Sequence, residues 1–164
     1  MSDSFFTMSQ VRLVKHAPGA PGLRILGLGP SFIPTQGLSK LKKLLDKHAF
    51  WAKNRSFKNL KILLAGSKVI ISLWKGKRLI GFGRATSDGI YRAVLWDIVV
   101  ADDLQRQGLG RRVVEELLAM PAISKVEKVY LMTTHSSDFY EQLGFDKCST
   151  QELLIKSKNI SKTE

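Results

Sequence analysis

Apolar and polar positions along the chain alternate between helical and strand periods, with glycine and proline marking the joins. Residues 1–22 are polar and then turn-rich, ending Ala17-Pro18-Gly19-Ala20-Pro21-Gly22, which predicts a loosely ordered N-terminal segment. Residues 23–26 read as a first strand and residues 27–34 as a loop. Leu38, Leu41, Leu44 and Leu45 recur at helical spacing, with Lys40, Lys42, Lys43 and Lys47 on the wet side. A second helix is predicted over residues 56–64, with Ser56 as its N-cap. Strands follow: residues 68–74, a Lys75-Gly76-Lys77 turn, residues 78–86, and a third run ending at Val100.

Beyond Val100 the period changes again. Leu109, Val113, Val114, Leu117 and Leu118 mark a helix that stops near Met120-Pro121, and residues 126–132 form a strand parallel to the one ending at Val100. A further helix spans residues 136–143 with Gly144 as its C-cap. Residues 145–157 supply one or two last strands, and residues 159–164 a frayed tail. Antiparallel neighbours leading into a strand–helix–strand crossover imply a mixed sheet in one α/β domain, residues 23–158.

The centre of this plan is Val94 to Arg112, V-L-W-D-I-V-V-A-D-D-L-Q-R-Q-G-L-G-R-R. It reads as strand, glycine-bearing loop and helix N-terminus. The first amides of a helix lack internal partners and carry the positive end of its dipole, so a loop of this kind is suited to a phosphate or pyrophosphate. Gly108 and Gly110 permit close approach, and Arg106, Arg111 and Arg112 add charge. Neither G-x-G-x-x-G nor G-x-x-x-x-G-K-[ST] is present.

What stands there is Q-x-x-G-x-G, which resembles the acetyl-CoA motif [QR]-x-x-G-x-[GA] of the GCN5-related N-acetyltransferases (GNAT). Asp138-Phe139-Tyr140-Glu141-Gln142-Leu143-Gly144-Phe145 resembles that family's [FL]-Y-x-x-x-G-F helix end. The resemblance covers roughly residues 68–157. The wording L-I-G-F-G-R-A-T-S-D-G, A-V-L-W-D-I-V-V and D-F-Y-x-x-L-G-F is similar to the cyanobacterial and plastid branch that includes serotonin N-acetyltransferases.

The resemblance implies the GNAT fold: a mixed, mostly antiparallel sheet of six to seven strands with about four helices, its parallel strands splayed by a bulge at the acetyl-CoA site. It implies an N-acetyltransferase with acetyl-CoA as co-substrate and direct attack by the amine. Gln105, Arg106, Gln107, Gly108, Leu109, Gly110 and Arg111 would hold the pyrophosphate, and main-chain groups of Ile98, Val99 and Val100 the pantetheine arm. Tyr140 is implied as general acid, protonated at neutral pH because a phenol titrates near 10. Seven residues before it the family usually places Asn and plastid relatives often Asp; Thr133 stands there, retaining a hydrogen bond to the coenzyme with Ser136 but no carboxylate. Asp97 interrupts an apolar strand, alternates with Leu95 and Val99 on one face, and is expected to act as base or amine anchor, with a structural arginine pair as the other reading. Phe50, Trp51 and Phe57 would wall an aromatic acceptor, or else serve as core. The branch implies an arylalkylamine acceptor such as serotonin or tryptamine. Acetylation of protein lysines or N-termini and a non-catalytic acyl-CoA-binding module are the alternatives. Dimers are frequent in the family, so a homodimer is an expectation.

Composition refines this picture. At 164 residues, 44% hydrophobic and 24% charged, the chain has the makeup of an ordinary globular domain. No apolar run reaches the ~20 residues of a membrane span, and no signal peptide is read, so a cytoplasmic protein is expected, with the plastid stroma as alternative. The lone Cys148 fits a reducing compartment. His16, His48 and His135 lie far apart, so no metal is expected. The net charge of +12 belongs to the front: residues 1–80 hold 15 Lys and Arg against 2 acidic residues. Attraction of the polyanionic coenzyme, an acidic partner and a plainly solvated surface all remain open. Nucleic acid is not expected, since no aromatic-interleaved basic stripe or known module is visible.

Overall fold

The strand-rich middle of the sequence forms a five-stranded sheet whose spatial order is its chain order: β1 (Val11–Lys15), β2 (Val69–Lys75), β3 (Arg78–Ser87), β4 (Arg92–Val100) and β5 (Lys128–Tyr130). The computed structural model describes residues 10–158, in two units that divide between Met132 and Thr133. The sheet belongs to the first unit. Neighbours pair antiparallel from β1 to β4, and β4 pairs parallel with β5.

The helices of this unit are α1 (Pro21–Leu26), α2 (Gly37–His48), α3 (Phe57–Ala65), α4 (Leu109–Ala119) and α5 (Pro121–Ser124). Leu23, Leu41, Leu44, Leu45, Leu60 and Leu64 from α1 to α3 pack with Ile70, Trp74, Phe82 and Val99 of the sheet. On the other face α4 lies so close to β3 that a Cβ on Gly83 would be 2.7 Å from Val113 Cγ1 and 3.0 Å from Leu117 Cδ1. Gly83 is therefore what lets α4 sit down on the sheet. Covered on both faces, β2 is buried along six of its seven residues, which is why it reads as a continuous apolar run. Ser56 caps α3 as expected, its hydroxyl accepting from the Asn59 amide at 3.1 Å.

The ends of the chain differ from expectation. The segment expected to be loose contains β1, which the neighbouring edge of β2 holds in register from Val11↔Lys75 to Lys15↔Ile71. The expected strand at residues 23–26 is the body of α1. Pro21 presets the helical φ at its start, and Gly27, at φ 63°, ends it with its amide turned back on Gly22 and Leu23. The expected strand at residues 126–132 is only three residues long, after the short α5. The second unit contains α6 (Ser137–Glu141), shorter than the expected 136–143 and capped at Gln142 rather than at Gly144, which follows it at φ 91°. Residues 145–158 form no strand, so the described sheet has five strands rather than six or seven, and the described helices number six rather than four. The expected tail at 159–164 lies outside the described residues, as do residues 1–9 of the N-terminal segment.

A buried polar chain ties β1 to the core. Trp74 Nε1 donates to Ser72 Oγ at 2.8 Å, and Ser72 Oγ lies 2.7 Å from His16 Nε2. An indole nitrogen only donates, so the serine hydroxyl is left with its proton to give, and His16 accepts it best as neutral imidazole. Burial pushes the His16 pKa down from 6.5 to about 4. Between those values the unfolded chain takes up a proton that the folded chain refuses, so stability falls as pH falls from 6.5 to about 4, by up to about 1.4 kcal/mol per pH unit. Denaturant unfolding across this range should show that slope in the native protein and a flatter one in His16→Gln; equal slopes would exonerate His16.

Candidate functional site

Two local departures from regular structure build the candidate site, one inside β4 and one after it. Along β4 and β3, Trp96 faces Arg84 and Val99 faces Phe82, so Asp97 and Ile98 together oppose the single residue Gly83. This is a β-bulge, and Asp97 takes its left-handed position at φ 52°. The bulge breaks the alternation expected from sequence. Asp97 does not share a face with Leu95, which pairs with Ala85, but is turned to where Arg84 and the turn after α2 reach it.

The carboxylate is almost fully enclosed, with a side-chain exposure of 4%. Trp51 Nε1 donates to Oδ1 at 3.2 Å, while Arg55 Nη1 and Arg84 Nε donate to Oδ2 at 2.9 and 2.8 Å. Arg84 also reaches Ser67 Oγ at 3.3 Å and lies over the Trp96 ring, 5.7 Å from its centroid. Burial by itself raises the Asp97 pKa; the hydrogen bonds and charges of Arg55 and Arg84 outweigh it and hold the carboxyl below its ordinary value. Arg55 and Arg84 were not singled out from the sequence. A charged residue among the apolar positions of β3 was the available signal for Arg84, and for Arg55 there was none.

Of the three aromatics expected to wall the acceptor site, none is core. Phe50 and Trp51 occupy a 3-10 turn directly after α2, edge to face with centroids 5.1 Å apart, and are 62% and 49% exposed. Trp51 is fixed by its bond to Asp97. Phe57 stands apart from them at the start of α3, where it lines a shallow depression with Lys42, Lys43 and Asp46 of α2.

The second departure follows Val100. Asp102–Leu104 make a 3-10 turn, and the Gln105 side chain folds back to donate to Asp102 Oδ1 at 3.0 Å. Arg106 (φ 62°) and Gly108 (φ 76°) are both left-handed, and they bracket Gln107 in a tight reversal into α4. The first backbone bond of α4 runs from the Arg112 amide to the Gly108 carbonyl, so the amides of Leu109, Gly110 and Arg111 precede the helical ladder. Nothing lies within 4 Å of a Cβ built on Gly108, so the space in front of the loop is open. A side chain there would fill the space a phosphate would use. Arg111 leans along the helix to Glu115 at 2.7 Å, and the loop itself is anchored by Arg78, which holds Asp103 through two bonds of 2.7 and 2.8 Å.

Between the two departures, among the described residues of the first unit, no strand pairs with the outer edge of β4. Its pairing with β5 covers only Arg92↔Lys128, Ala93↔Val129 and Val94↔Tyr130, although β4 continues to Val100. Within the first unit, then, Ile98, Val99 and Val100 lie on a strand edge that β5 does not cover, leading into the loop of Gln105 to Arg111.

In the second unit Thr133 Oγ1 accepts from the Ser136 amide at 3.1 Å, which starts α6. Tyr140 is half-buried between Phe139 and Phe145, with ring centroids 4.9 and 5.9 Å away. Burial pushes its phenol pKa above 10, so it remains protonated throughout the neutral range. Cys148 is exposed, beyond α6.

Comparison with known proteins agrees with this fold. The profile of the acetyltransferase (GNAT) domain matches residues 66–147. The chain is 37% identical over 115 residues to the uncharacterised N-acetyltransferase ycf52 of Pyropia yezoensis, a stretch that is 67% of this chain and 65% of that protein. Over 69 residues, 42% of this chain and 34% of the relative, it is 41% identical to the chloroplastic serotonin N-acetyltransferase 2 of Oryza sativa. Among solved structures, a GNAT-family acetyltransferase from Streptococcus pneumoniae superposes with a TM-score of 0.64 at 19% identity, covering 90% of this chain and 99% of that one, a likeness of fold. The matched domain model spans half of the chain, from before β2 to beyond α6, and the chain belongs to the GNAT acetyltransferase family.

Proposed function

We propose that the protein is an acetyl-CoA-dependent N-acetyltransferase acting on a primary amine by direct attack, with an arylalkylamine such as serotonin or tryptamine as acceptor. The observation that carries the reading is the uncovered edge of β4 running into a loop whose glycine leaves room for a phosphate. Acetyl-CoA supplies the activated acetyl group. The amides of Leu109, Gly110 and Arg111, with the turn from Gln105 to Gly108, hold its pyrophosphate. Main-chain groups of Ile98, Val99 and Val100 receive the pantetheine arm as an added strand would be received. Thr133 and Ser136 add hydroxyls, Thr133 keeping its proton to donate.

The lowered pKa of Asp97 suits an anchor rather than a base, because a group held ionised takes up a proton poorly. Three donors occupy three of its roughly four acceptor positions, leaving one on Oδ1 for an N–H of the acceptor's amine, whose ammonium proton passes to solvent before the neutral nitrogen attacks. Trp51 and Phe50 offer aromatic surface beside that position, which supports an arylalkylamine over an aliphatic amine. The printed name of the rice relative supports the same acceptor, and its chloroplastic description supports the plastid stroma as the place of action. Tyr140 Oη holds the proton that the departing thiolate requires. Direct attack is favoured because the only cysteine, Cys148, lies beyond the tyrosine helix. The basic front half favours a second reading, a protein lysine acceptor.

Thiol release from acetyl-CoA, followed in parallel with serotonin, tryptamine, a polyamine and a lysine peptide, tests the proposal. Turnover confined to the indole amines supports it, and turnover with the peptide alone transfers it to protein acetylation. Gly108→Leu should weaken acetyl-CoA binding at least ~10-fold while costing only about 1–2 kcal/mol of stability from the left-handed backbone; calorimetric affinity equal to the native protein's would remove the phosphate loop. Tyr140→Phe should lower kcat by about 100-fold with coenzyme affinity intact, and a native rate would retire it as the acid. For Asp97→Asn the expected outcome is about 2 kcal/mol of lost stability, since two arginines lose their counter-charge, with a raised amine KM and an unshifted acid limb of the pH–rate profile. A displaced acid limb would make Asp97 the base after all.

A further inference from the structure

A groove of about 560 Å³ lies between α2 and the β2–β3 turn, where His48 and Arg78 reach the loop at Asp102 and Asp103. Its rim is made of Lys40, Lys43 and Lys47 from one side of α2 and of Lys77 and Arg78 from the turn, over a floor that includes Leu44 and Leu79. Among the described residues Arg78 alone of these five cations has a carboxylate partner, Asp103, and the lining His48 lies 3.2 Å from Asp102. Lys40 is tethered to the turn by its bond to the Lys77 carbonyl, and among the described residues Lys43, Lys47 and Lys77 form no ion pair. The contrast lies within α2 itself, since Lys42 on the adjacent side is matched by Asp46 at 2.9 Å.

Lys40 and Lys43 are three residues apart and Lys43 and Lys47 four, the spacings at which side chains on a helix are neighbours and like charges repel. An anion in the groove relieves that repulsion. Three features select the kind of anion. The cations are strung along seven residues of helix, about 10 Å, instead of converging on one point as a single phosphate requires. The one aromatic ring among the lining residues, His48, is only 6% exposed and is bonded to the Asp102 amide, so the groove offers no exposed platform on which nucleic-acid bases would stack. The floor is apolar, which suits a chain that carries side chains as well as charge. We infer that this groove docks an acidic, partly apolar segment of a partner protein, through carboxylates set against Lys43, Lys47 and Lys77. The inference is independent of which amine the enzyme acetylates.

The test uses the full chain at 150 mM salt and a fluorescein-labelled ten-residue peptide of alternating Glu and Leu, read by anisotropy. Lys43→Glu/Lys47→Glu should weaken binding at least tenfold, and Lys58→Glu/Lys61→Glu, which changes the net charge equally on exposed positions of α3, by less than twofold. Melting temperatures of both variants check folding; should the α2 variant melt early, Lys77→Glu on the turn is expected to give the same loss. No binding by the native chain overturns the inference, as does equal weakening by the two charge reversals, which would assign the effect to net charge. It is also overturned if a single-stranded oligonucleotide of equal charge binds more tightly and is released by Lys43→Glu/Lys47→Glu.

Discussion

The buried carboxylate of Asp97 is the constraint on which the arrangement around β4 depends. A non-glycine residue in the left-handed region and a charge in the interior are each unfavourable, and together they persist only where neighbours over-determine them. Here two arginines and an indole do so, converging from β3, from the turn after α2 and from the start of the following segment. The bulge they hold places two residues of β4 against one of β3, and beyond it β4 runs on to Val100 without β5 beside it. Strand edges are normally covered or blunted. An edge that β5 leaves unpaired, leading straight to a helix start, is what an elongated ligand ending in phosphates can use.

The same cluster joins the strand edge proposed for the coenzyme to the aromatic surface proposed for the acceptor. Trp51 is half-exposed on its ring and bonded through its nitrogen, so one residue both completes the shell of Asp97 and presents an aromatic surface. Arg84 spans Asp97, Ser67 and Trp96 and thereby links the bulge to the end of α3 and the strand behind it. On the loop side, Arg78 clamps Asp103, and His48 Nδ1 accepts from the Asp102 amide at 3.1 Å, tying the end of α2 to the loop proposed to hold the phosphates. Helix α2 thus borders the basic groove along one side and touches the loop at its end.

Local signals made much of this legible. The Ser56 cap, the Lys75-Gly76-Lys77 turn and the helix after Gly108 depend on neighbours within a few residues, and each stands where its pattern put it. Reading residues 23–26 as a strand failed because four apolar residues satisfy either period, and the proline before and glycine behind them decided for helix. β1 was missed because a five-residue edge strand owes its existence to the partner it pairs with, 60 residues away in the chain. The face of Asp97 was misjudged for a related reason: strict alternation holds only while the register does, and a bulge is a property of two strands.

The sequence by itself determined the order of elements from Gly37 to Ala119, the glycine loop with its free helix amides, the tyrosine helix and the uneven distribution of charge, because each is written in contiguous residues. Tertiary structure decided which charges are matched and which are not. It gave Asp97 its two arginines, gave Trp51 its carboxylate and left Lys43, Lys47 and Lys77 facing a groove, because those partners lie tens of residues apart and meet only when strands and helices pack.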